Sequence, residues 1–258
     1  MFKVQKFFFF KFKKYFSYGL AMSAGRNFTG RICVQHKGGA SKNRILFVDR
    51  FRQINSYGVV FRIIKDFFRT GFLGFVIYDN GLVSFILLAE GLVKGDRVFS
   101  GSLFIDSFKK GSTQKLLYIK LFDFINSLEL FSLSGAKYVR AAGCFSAIVS
   151  KDNEKSVIKL NSGWHIKLSN SCLVSIGVVS NVSNIFVVVK NAGVNRKKGI
   201  RPTVRGVIKN PCDHPHGGGE GKGSPPVAQV SPWGWLCKGT PTKNKKIDRL
   251  KRKLYKKV

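Results

Sequence analysis

The sequence predicts an all-β protein of two small antiparallel barrels in series, flanked by irregular basic extensions. Three observations predict this fold class. Short β-prone runs recur through the middle of the 258-residue chain, turns rich in glycine and asparagine separate them, and no segment of helical periodicity lies between those of the first series. The two ends of the chain lack such runs and are rich in lysine and arginine.

Residues 1–24 are predicted to form a basic, aromatic N-terminal arm, because they show neither a helix cap nor a heptad pattern. Residues 25–105 contain enough short strands for one barrel, and a five-stranded oligonucleotide-binding barrel is one fold of that size. At Asn80-Gly81 we predict a hairpin with a type I′ turn. The strands predicted here are 31–35, 44–48, 59–64, 75–78, 82–86 and 97–99.

Residues 106–190 continue the pattern and predict a second barrel of SH3-like size. His165 lies in an alternating run beside a turn, so we interpret it as a surface or packing residue and not as a ligand, and Trp164 as a barrel-edge residue. Residues 191–258 are predicted to form a basic extension rich in glycine and proline. The strands predicted in the second barrel are 111–119, 143–149, 156–160, 164–168 and 186–189.

The charge of the chain indicates a polyanionic partner. Forty-five lysines and arginines face 13 acidic residues, which gives a net charge of +32. No acidic residue precedes Asp49, and beyond residue 190 the only ones are Asp213, Glu220 and Asp248. An enzyme acting on small molecules has no need of this excess, and solubility needs only a small part of it. Nucleic acid is favoured over an anionic membrane surface, because the charge is spread along the chain.

Neither a membrane span nor a cysteine framework is predicted. The apolar stretch 71–88 is interrupted by Asp79-Asn80-Gly81, so we expect no membrane insertion. The five cysteines are scattered and include no Cys-x-x-Cys pair, which argues against a disulfide framework or a zinc ribbon and favours a reducing compartment.

The glycine-rich segment 210–226, NPCDHPHGGGEGKGSPP, admits three interpretations. A phosphate loop around Gly221-Lys222 is disfavoured, because His216 takes the place of its first glycine and Gly223 follows the lysine. A metal site would draw on Cys212, Asp213, His214 and His216, but alternate residues of a proline-stiffened chain point in opposite directions.

The third interpretation is an irregular arm that folds against structured RNA. Glycines permit close backbone approach to phosphates, and prolines hold an extended path at little entropic cost. The segment and the residues before it supply the charge: Arg196, Lys197, Lys198, Arg201, Arg205, Lys209 and Lys222.

Several motifs resemble the universal large-subunit ribosomal protein two family. They are GIRPTVRG at 199–206, NPCDHPHGGGEG at 210–221, SPWG at 231–234, GRNFTGRI at 25–32 and SGAKYVRAAG at 134–143, and the resemblance extends over about residues 25–246. It implies an oligonucleotide-binding barrel followed by an SH3-like barrel, with extensions buried in large-subunit rRNA. It also implies that the C-terminal loop lies near the peptidyl-transferase region and that the protein supports subunit association.

By this resemblance His214 corresponds to the family histidine tied to peptidyl-transfer competence, although bond formation belongs to rRNA. We therefore predict no catalytic residue, metal ligand or cofactor. The chain departs from the family pattern at Ala40-Ser41, where a Gly-His pair is usual. The predicted rRNA contacts are Arg26, Asn27, Arg31, His36, Lys37, Arg196, Lys197, Arg201, Arg205, Asn210, Asp213, His214, His216, Gly217, Gly218, Gly219, Lys222, Trp233, Lys243, Lys245 and Lys246.

The expected partners are large-subunit rRNA, neighbouring ribosomal proteins and the small subunit across an intersubunit contact. The departures from the family pattern and the 24 phenylalanines suggest a mitochondrial member, located in the ribosomes of the matrix. The alternative is a free-standing nucleic-acid-binding protein of an organelle nucleoid.

Overall fold

A computed structural model describes residues 10–104, 109–221, 223 and 227–240, and the backbone of 255–257. These residues form two compact units. The first takes in the described part of Met1–Leu20, Lys42–Val188 and a short C-terminal strand, and the second takes in Ala21–Ser41 with the described part of Val189–Lys251. The second unit thus joins an early segment of the chain to the C-terminal extension.

The first barrel of the first unit is built on a four-stranded antiparallel sheet in the order β5-β4-β3-β6, beside the two-stranded pair β1-β2. A bulge at Phe61 interrupts the register of β3 with β4, where Val60 pairs with Val76 and Arg62 with Phe75. The strands are β1 (Ser17–Gly19), β2 (Arg44–Leu46), β3 (Ser56–Lys65), β4 (Phe72–Tyr78), β5 (Val83–Leu87) and β6 (Arg97–Ser100).

Aromatic side chains fill one side of this barrel. Phe75 and Phe85 are fully buried, and their rings lie 5.1 Å apart. Phe12 lies in a helical turn at 10–15, and Phe16 follows that turn directly. The ring of Phe12 packs against Phe75 and the ring of Phe16 against Phe85, each at a centroid distance of 6.0 Å. The described part of the predicted N-terminal arm is therefore packed on the barrel as far as β1, because its phenylalanines complete the apolar core.

The second barrel contains a seven-stranded sheet in the order β13-β11-β10-β9-β8-β12-β7. Its core consists of fully buried aliphatic side chains such as Ile125, Leu128, Ile148 and Ile158. The strands are β7 (Thr113–Lys115), β8 (Phe124–Asn126), β9 (Ser146–Lys151), β10 (Lys155–Leu160), β11 (Trp164–Ser169), β12 (Leu173–Ile176) and β13 (Tyr255–Lys257). Both sheets form barrel-like shapes, so the all-β prediction of an oligonucleotide-binding barrel followed by an SH3-like barrel is confirmed.

A buried arginine joins the two barrels. Arg52 donates from Nε to Ser100 Oγ (2.9 Å) and from Nη2 to the carbonyl of Phe99 (2.8 Å) in the first barrel. Its Nη1 donates to the carbonyl of Gly111 (2.7 Å) and to Ser175 Oγ (3.2 Å), which belong to the second barrel. Burial lowers the pKa of this guanidinium, while the Tyr78 hydroxyl and the Asp49 carboxylate act in the opposite direction.

Three local predictions are wrong. Residues 31–35 form bends instead of a strand, because the amides of Cys33 and Val34 both donate to the carbonyl of Gly25. The run 186–189 begins with the last residue of a 3₁₀ helix at Val182–Phe186 and remains exposed instead of joining a sheet. The Asn80-Gly81 hairpin exists, but its loop has three residues and only Gly81 has a positive φ (+81°), so the turn is not type I′.

Candidate nucleic-acid interface

The second unit begins with a tight loop at 26–32 that contains three predicted contact residues. Asn27 Oδ1 accepts hydrogen bonds from the amide of Thr29 (3.1 Å), the Thr29 hydroxyl (2.7 Å) and the amide of Arg31 (3.0 Å). The backbone amide of Asn27 donates to the backbone carbonyl of Arg31 (2.9 Å), and Arg26 and Ile32 form an isolated β-bridge. The oxygen of Asn27 thus shapes the loop, while the side chains of Arg26 and Arg31 are exposed.

Residues 36–41 pair with 197–202 of the C-terminal extension. The backbone amide of Gly38 donates to the carbonyl of Gly199 (2.9 Å), and the amide of Ser41 donates to the carbonyl of Lys197 (3.1 Å). In the other direction, the amide of Arg201 donates to the carbonyl of His36 (2.9 Å). His36 Nδ1 lies 2.9 Å from the carbonyl oxygen of Pro202. Since a carbonyl can only accept, Nδ1 is the donor of this hydrogen bond.

This pairing assembles a basic cluster from two distant parts of the sequence. Lys37 forms a bridge with Ile200, next to Arg201, and the guanidinium of Arg196 lies against Gly39. Arg196 Nη1 is buried and has no hydrogen-bond partner in the part of the chain that the structure describes. Both ion pairs found among the described residues belong to the first unit, so no carboxylate within 4 Å neutralises these cations. The cluster therefore retains its charge for an external anion.

The glycine-rich loop is organised around His214, which is 8% exposed. Its Nδ1 accepts a hydrogen bond from the amide of His216 (3.0 Å), and its carbonyl accepts one from the amide of Gly217 (2.8 Å). The ring lies over Gly206, where a Cβ atom would come within 2.7 Å of it. Burial lowers the pKa of His214 below its usual value of about 6.5, and the neighbouring His216 and Lys209 add to this effect.

The three consecutive glycines of this loop differ in their surroundings. A Cβ at Gly217 would lie 2.3 Å from the carbonyl oxygen of Asn210, and one at Gly218 would lie 2.7 Å from Pro211 Cγ. A Cβ at Gly219 would meet no atom of the described residues within 4 Å. Internal packing therefore explains the first two glycines, and only Gly219 is open to an outside partner.

A small hairpin presents the predicted contact Trp233. Val230 and Leu236 form a bridge, and the amide of Ser231 donates to the carbonyl of Trp235 (2.7 Å). The amide of Val230 donates to His216 Nε2 (3.1 Å), which connects the hairpin to the glycine-rich loop. Trp233 and Trp235 are 64% and 76% exposed, so both indoles are available for stacking.

The predicted contact residues thus lie in four places, and a hydrogen bond links two of these, the glycine-rich loop and the hairpin. The structure brings His36 and Lys37 to the 196–201 region, and His216 to the hairpin that carries Trp233. Arg205, Asn210 and Asp213 are exposed around the glycine-rich loop. The predicted contacts Lys222, Lys243, Lys245 and Lys246 lie outside the described residues.

Sequence reasoning missed a second basic group, in the first unit. Burial and the charges of Arg50 and Arg69 lower the pKa of Arg140 to about 10. Its Nε atom is buried and has no hydrogen-bond partner. Arg140 stands in the motif SGAKYVRAAG at 134–143, but nothing local in the sequence connects it to the other two arginines.

The other interpretations of the glycine-rich segment find no geometric support. Among the residues that the structure describes, no three His, Cys, Asp or Glu side chains are placed to hold a metal ion. The loop is preceded by a 3₁₀ turn at Gly206–Ile208 instead of the strand that a phosphate loop requires. Within the same described ranges, no helix is long and apolar enough to span a membrane.

The two β-barrels, with the cations of the second unit that have no ion-pair partner among the described residues, define a nucleic-acid-binding protein. Residues 14–100 match the family described as "Ribosomal Proteins L2, RNA binding N-terminal domain", and residues 109–234 match "Ribosomal Proteins L2, C-terminal domain". The chain belongs to the ribosomal protein L2 family.

Curated relatives agree with this assignment. The large ribosomal subunit protein uL2 of Wolbachia sp. subsp. Brugia malayi is 42% identical over 234 residues, which cover 90% of this chain and 85% of the relative. The large ribosomal subunit protein uL2m of Reclinomonas americana is 40% identical over 244 residues, which cover 92% and 87% of the two chains. The large ribosomal subunit protein uL2 of Hyphomonas neptunium is 42% identical over 234 residues, which cover 90% of this chain and 84% of the relative.

Proposed function

We propose that this protein is a structural constituent of the large ribosomal subunit that binds rRNA. The observation that carries the proposal is the cluster formed by the pairing of 36–41 with 197–202, whose cations have no carboxylate partner among the described residues. Phosphates are the natural counter-charge for a folded surface of this kind. The role is structural, with neighbouring ribosomal proteins as further partners, and requires no catalytic group of the chain.

Within this role, we infer that the glycine-rich loop supports the peptidyl-transferase region and subunit association. Support comes from the family resemblance of 210–221 and from the neutral, buried state of His214. With Nδ1 occupied by the His216 amide, the neutral ring carries its proton on Nε2 and can donate it to an RNA oxygen. His214 would then position RNA instead of transferring protons, and the small subunit would be reached across an intersubunit contact.

We further propose that the protein works in the ribosomes of the mitochondrial matrix. The relative named uL2m and the phenylalanine-rich composition support this location. Fractionation of organelles followed by sedimentation of ribosomes tests it. Recovery of the protein in the cytosolic large subunit would contradict the mitochondrial assignment while leaving the ribosomal role intact.

Sedimentation and salt titration together test the rRNA-binding role. We expect the protein in the large-subunit peak, and we expect the logarithm of its affinity for large-subunit rRNA to fall linearly with the logarithm of salt concentration. Replacing Arg201 by Gln should lower that slope by roughly 0.7 to 0.9, whereas replacing Asp213 by Asn should not lower it. Migration with nucleoid DNA and absence from the large subunit would favour the free-standing alternative.

The proposed role of His214 is tested in assembled large subunits that carry His214→Ala. One contact among many contributes little to affinity, so we expect rRNA binding to stay near the wild-type level while peptide synthesis or subunit joining declines. Cys212→Ala, an exposed neighbour in the same loop, is the matched control. Normal synthesis and joining in the His214 variant would remove the special role of this histidine.

A further inference from the structure

Phe28 is the most exposed aromatic residue among those that the structure describes. Its side chain is 100% exposed at the tip of the loop 26–32. By contrast, Phe12 and Phe16 pack on the first barrel. The full exposure of this apolar ring leaves it without any internal packing role.

The loop holds Phe28 in a fixed position. The residues on both sides of the ring are anchored by Asn27 Oδ1, which accepts from Thr29 and Arg31. Gly30 has a φ of +80°, and its amide donates to the Asn27 carbonyl at 3.1 Å, so the chain turns back directly after the tip. A side chain carried on a braced loop loses little backbone entropy when it binds.

The surroundings of the ring indicate the chemistry of its partner. Arg26 and Arg31 flank the tip, and no acidic residue precedes Asp49 in the sequence. Neither arginine takes part in an ion pair within the described residues. A flat apolar surface between two uncompensated cations fits a ligand that has an apolar face and adjoining negative charges, which is the description of an unpaired nucleotide.

We propose that Phe28 stacks on an unpaired base of the rRNA, while Arg26 and Arg31 contact the phosphates on either side of it. This inference rests on the proposed function, because the base belongs to the RNA that the protein binds. It goes beyond that function by assigning the loop 26–32 an unpaired base and by assigning Phe28 a direct role in holding it. A neighbouring protein is the competing partner, and the experiments below separate the two.

The first experiment measures affinity for tiled fragments of large-subunit rRNA with the full chain. Phe28→Ala should weaken binding to one fragment by roughly 5- to 150-fold, which is the range of one base–aromatic stack. Phe28→Trp should bind at least as well as wild type, and Phe28→Leu should behave like the alanine variant because it lacks a π-face. The matched control is Phe131→Ala, since Phe131 is 72% exposed and has no basic residue within two positions.

Salt titration distinguishes stacking from charge. Phe28→Ala should lower the affinity at every salt concentration without changing the slope, whereas Arg31→Gln should lower the slope by roughly 0.7 to 0.9. If wild-type protein binds the fragments and Phe28→Ala binds within about twofold of it on all of them, stacking is overturned and the rRNA-binding role stands. If wild-type protein binds none of them better than it binds tRNA, the proposed function itself fails.

Ultraviolet crosslinking of assembled large subunits identifies the partner directly. Trypsin releases residues 27–31 as one peptide, because Arg26 and Arg31 bound it. We expect this peptide to carry the mass of one crosslinked nucleotide at Phe28, and the adduct to disappear in the Phe28→Leu variant. A crosslink from Phe28 to another protein, with no nucleotide adduct, would replace the RNA base by a protein partner and overturn the proposal.

Discussion

His214 owes its place in the glycine-rich loop to a glycine eight residues earlier. A Cβ atom on Gly206 would lie 2.7 to 2.9 Å from three atoms of the imidazole ring. We expect Gly206→Ala to displace this ring and to destabilise the loop by about 1–3 kcal/mol through overpacking. NMR of the RNA-free protein checks this through the His214 ring shifts and the exchange protection of the Gly217 amide, which donates to the His214 carbonyl.

Gly193 provides the control for this substitution. It lies in the short helix Ala192–Lys197, and a Cβ there would meet no atom within 4 Å. Gly193→Ala should leave the loop unchanged and stabilise the helix by a few tenths of a kcal/mol to about 1 kcal/mol. Equal losses of protection in the two variants would show that the contact with Gly206 does not hold the ring.

The lowered pKa of His214 makes the order of the loop depend on pH. The ring binds a proton less readily in the ordered loop than in the unfolded chain, so the ordered form is favoured above about pH 6.5. This stabilisation should be lost as the pH falls from there through the lowered pKa, because the protonated Nδ1 can no longer accept from the His216 amide. We expect an NMR titration midpoint below 6.5 for His214 and, in parallel, weaker protection of the Gly217 amide.

The variant His214→Asn keeps a polar side chain but does not titrate in this range. Its loop should show no change in protection between pH 7 and pH 5 beyond the intrinsic effect of pH on exchange. A similar acid-induced loss of protection in the variant would assign the pH dependence to another group.

The paired segments 36–41 and 197–202 form the element that supports the basic cluster. Gly199 has a φ of +84°, and a Cβ there would lie 3.0 Å from that of Ala40. Gly199→Val should open the pairing, because a β-branched residue is strained in this conformation. Hydrogen exchange of the free protein should then show lost protection at the amides of Gly38, Ser41 and Arg201, with the amide of Val60 in the first barrel unchanged.

Hairpins with local signals were predictable from the sequence, whereas features that depend on distant partners were not. The β4–β5 hairpin was found because alternating β-prone residues flank a turn that contains Gly81. The run 186–189 has equally strong β propensity, but propensity forms no strand without a neighbour to pair with. The strands β8 and β12 were missed, since three or four residues give no measurable periodicity.

The same limit applies to the candidate site. The glycine-rich motif identified the loop around His214, but not the reason for its glycines, because the contacts of Gly217 and Gly218 depend on how the chain folds back. Nothing in the sequence indicated that His36 would meet Pro202, 166 residues later. The exposure of Phe28 was equally hidden, since a phenylalanine between polar residues fits a core position as well as a loop tip.

At the scale of the whole molecule, Arg52 makes the two barrels depend on each other. Arg52→Met removes its donors and leaves the carbonyls of Phe99 and Gly111 without these partners in the interior. We expect a loss of about 2–4 kcal/mol in the free energy of unfolding. In differential scanning calorimetry we expect one cooperative transition for the wild type, and a broadened or split transition for the variant.

Arg97→Met is the control, because Arg97 and Asp79 form an exposed ion pair at 3.3 Å in the first barrel. Its cost should be about 0–1 kcal/mol, with one transition retained. If Arg52→Met unfolds in one sharp transition at the wild-type temperature, the arginine does not couple the barrels.

The pairing of Ser41 with Lys197 has a consequence for the timing of synthesis. The second residue follows the first by 156 positions, and translation adds roughly 5 to 20 residues per second. The early segment is therefore synthesised roughly 8 to 30 seconds before its partner. The first barrel, which ends with β6 at Ser100, has the time to fold in this interval, so we expect the closing of this pair to be a late step in maturation. The basic loop at 26–32 is held by local hydrogen bonds, so it can form before the pair closes. We therefore expect this loop to be able to contact RNA while the chain is still being synthesised.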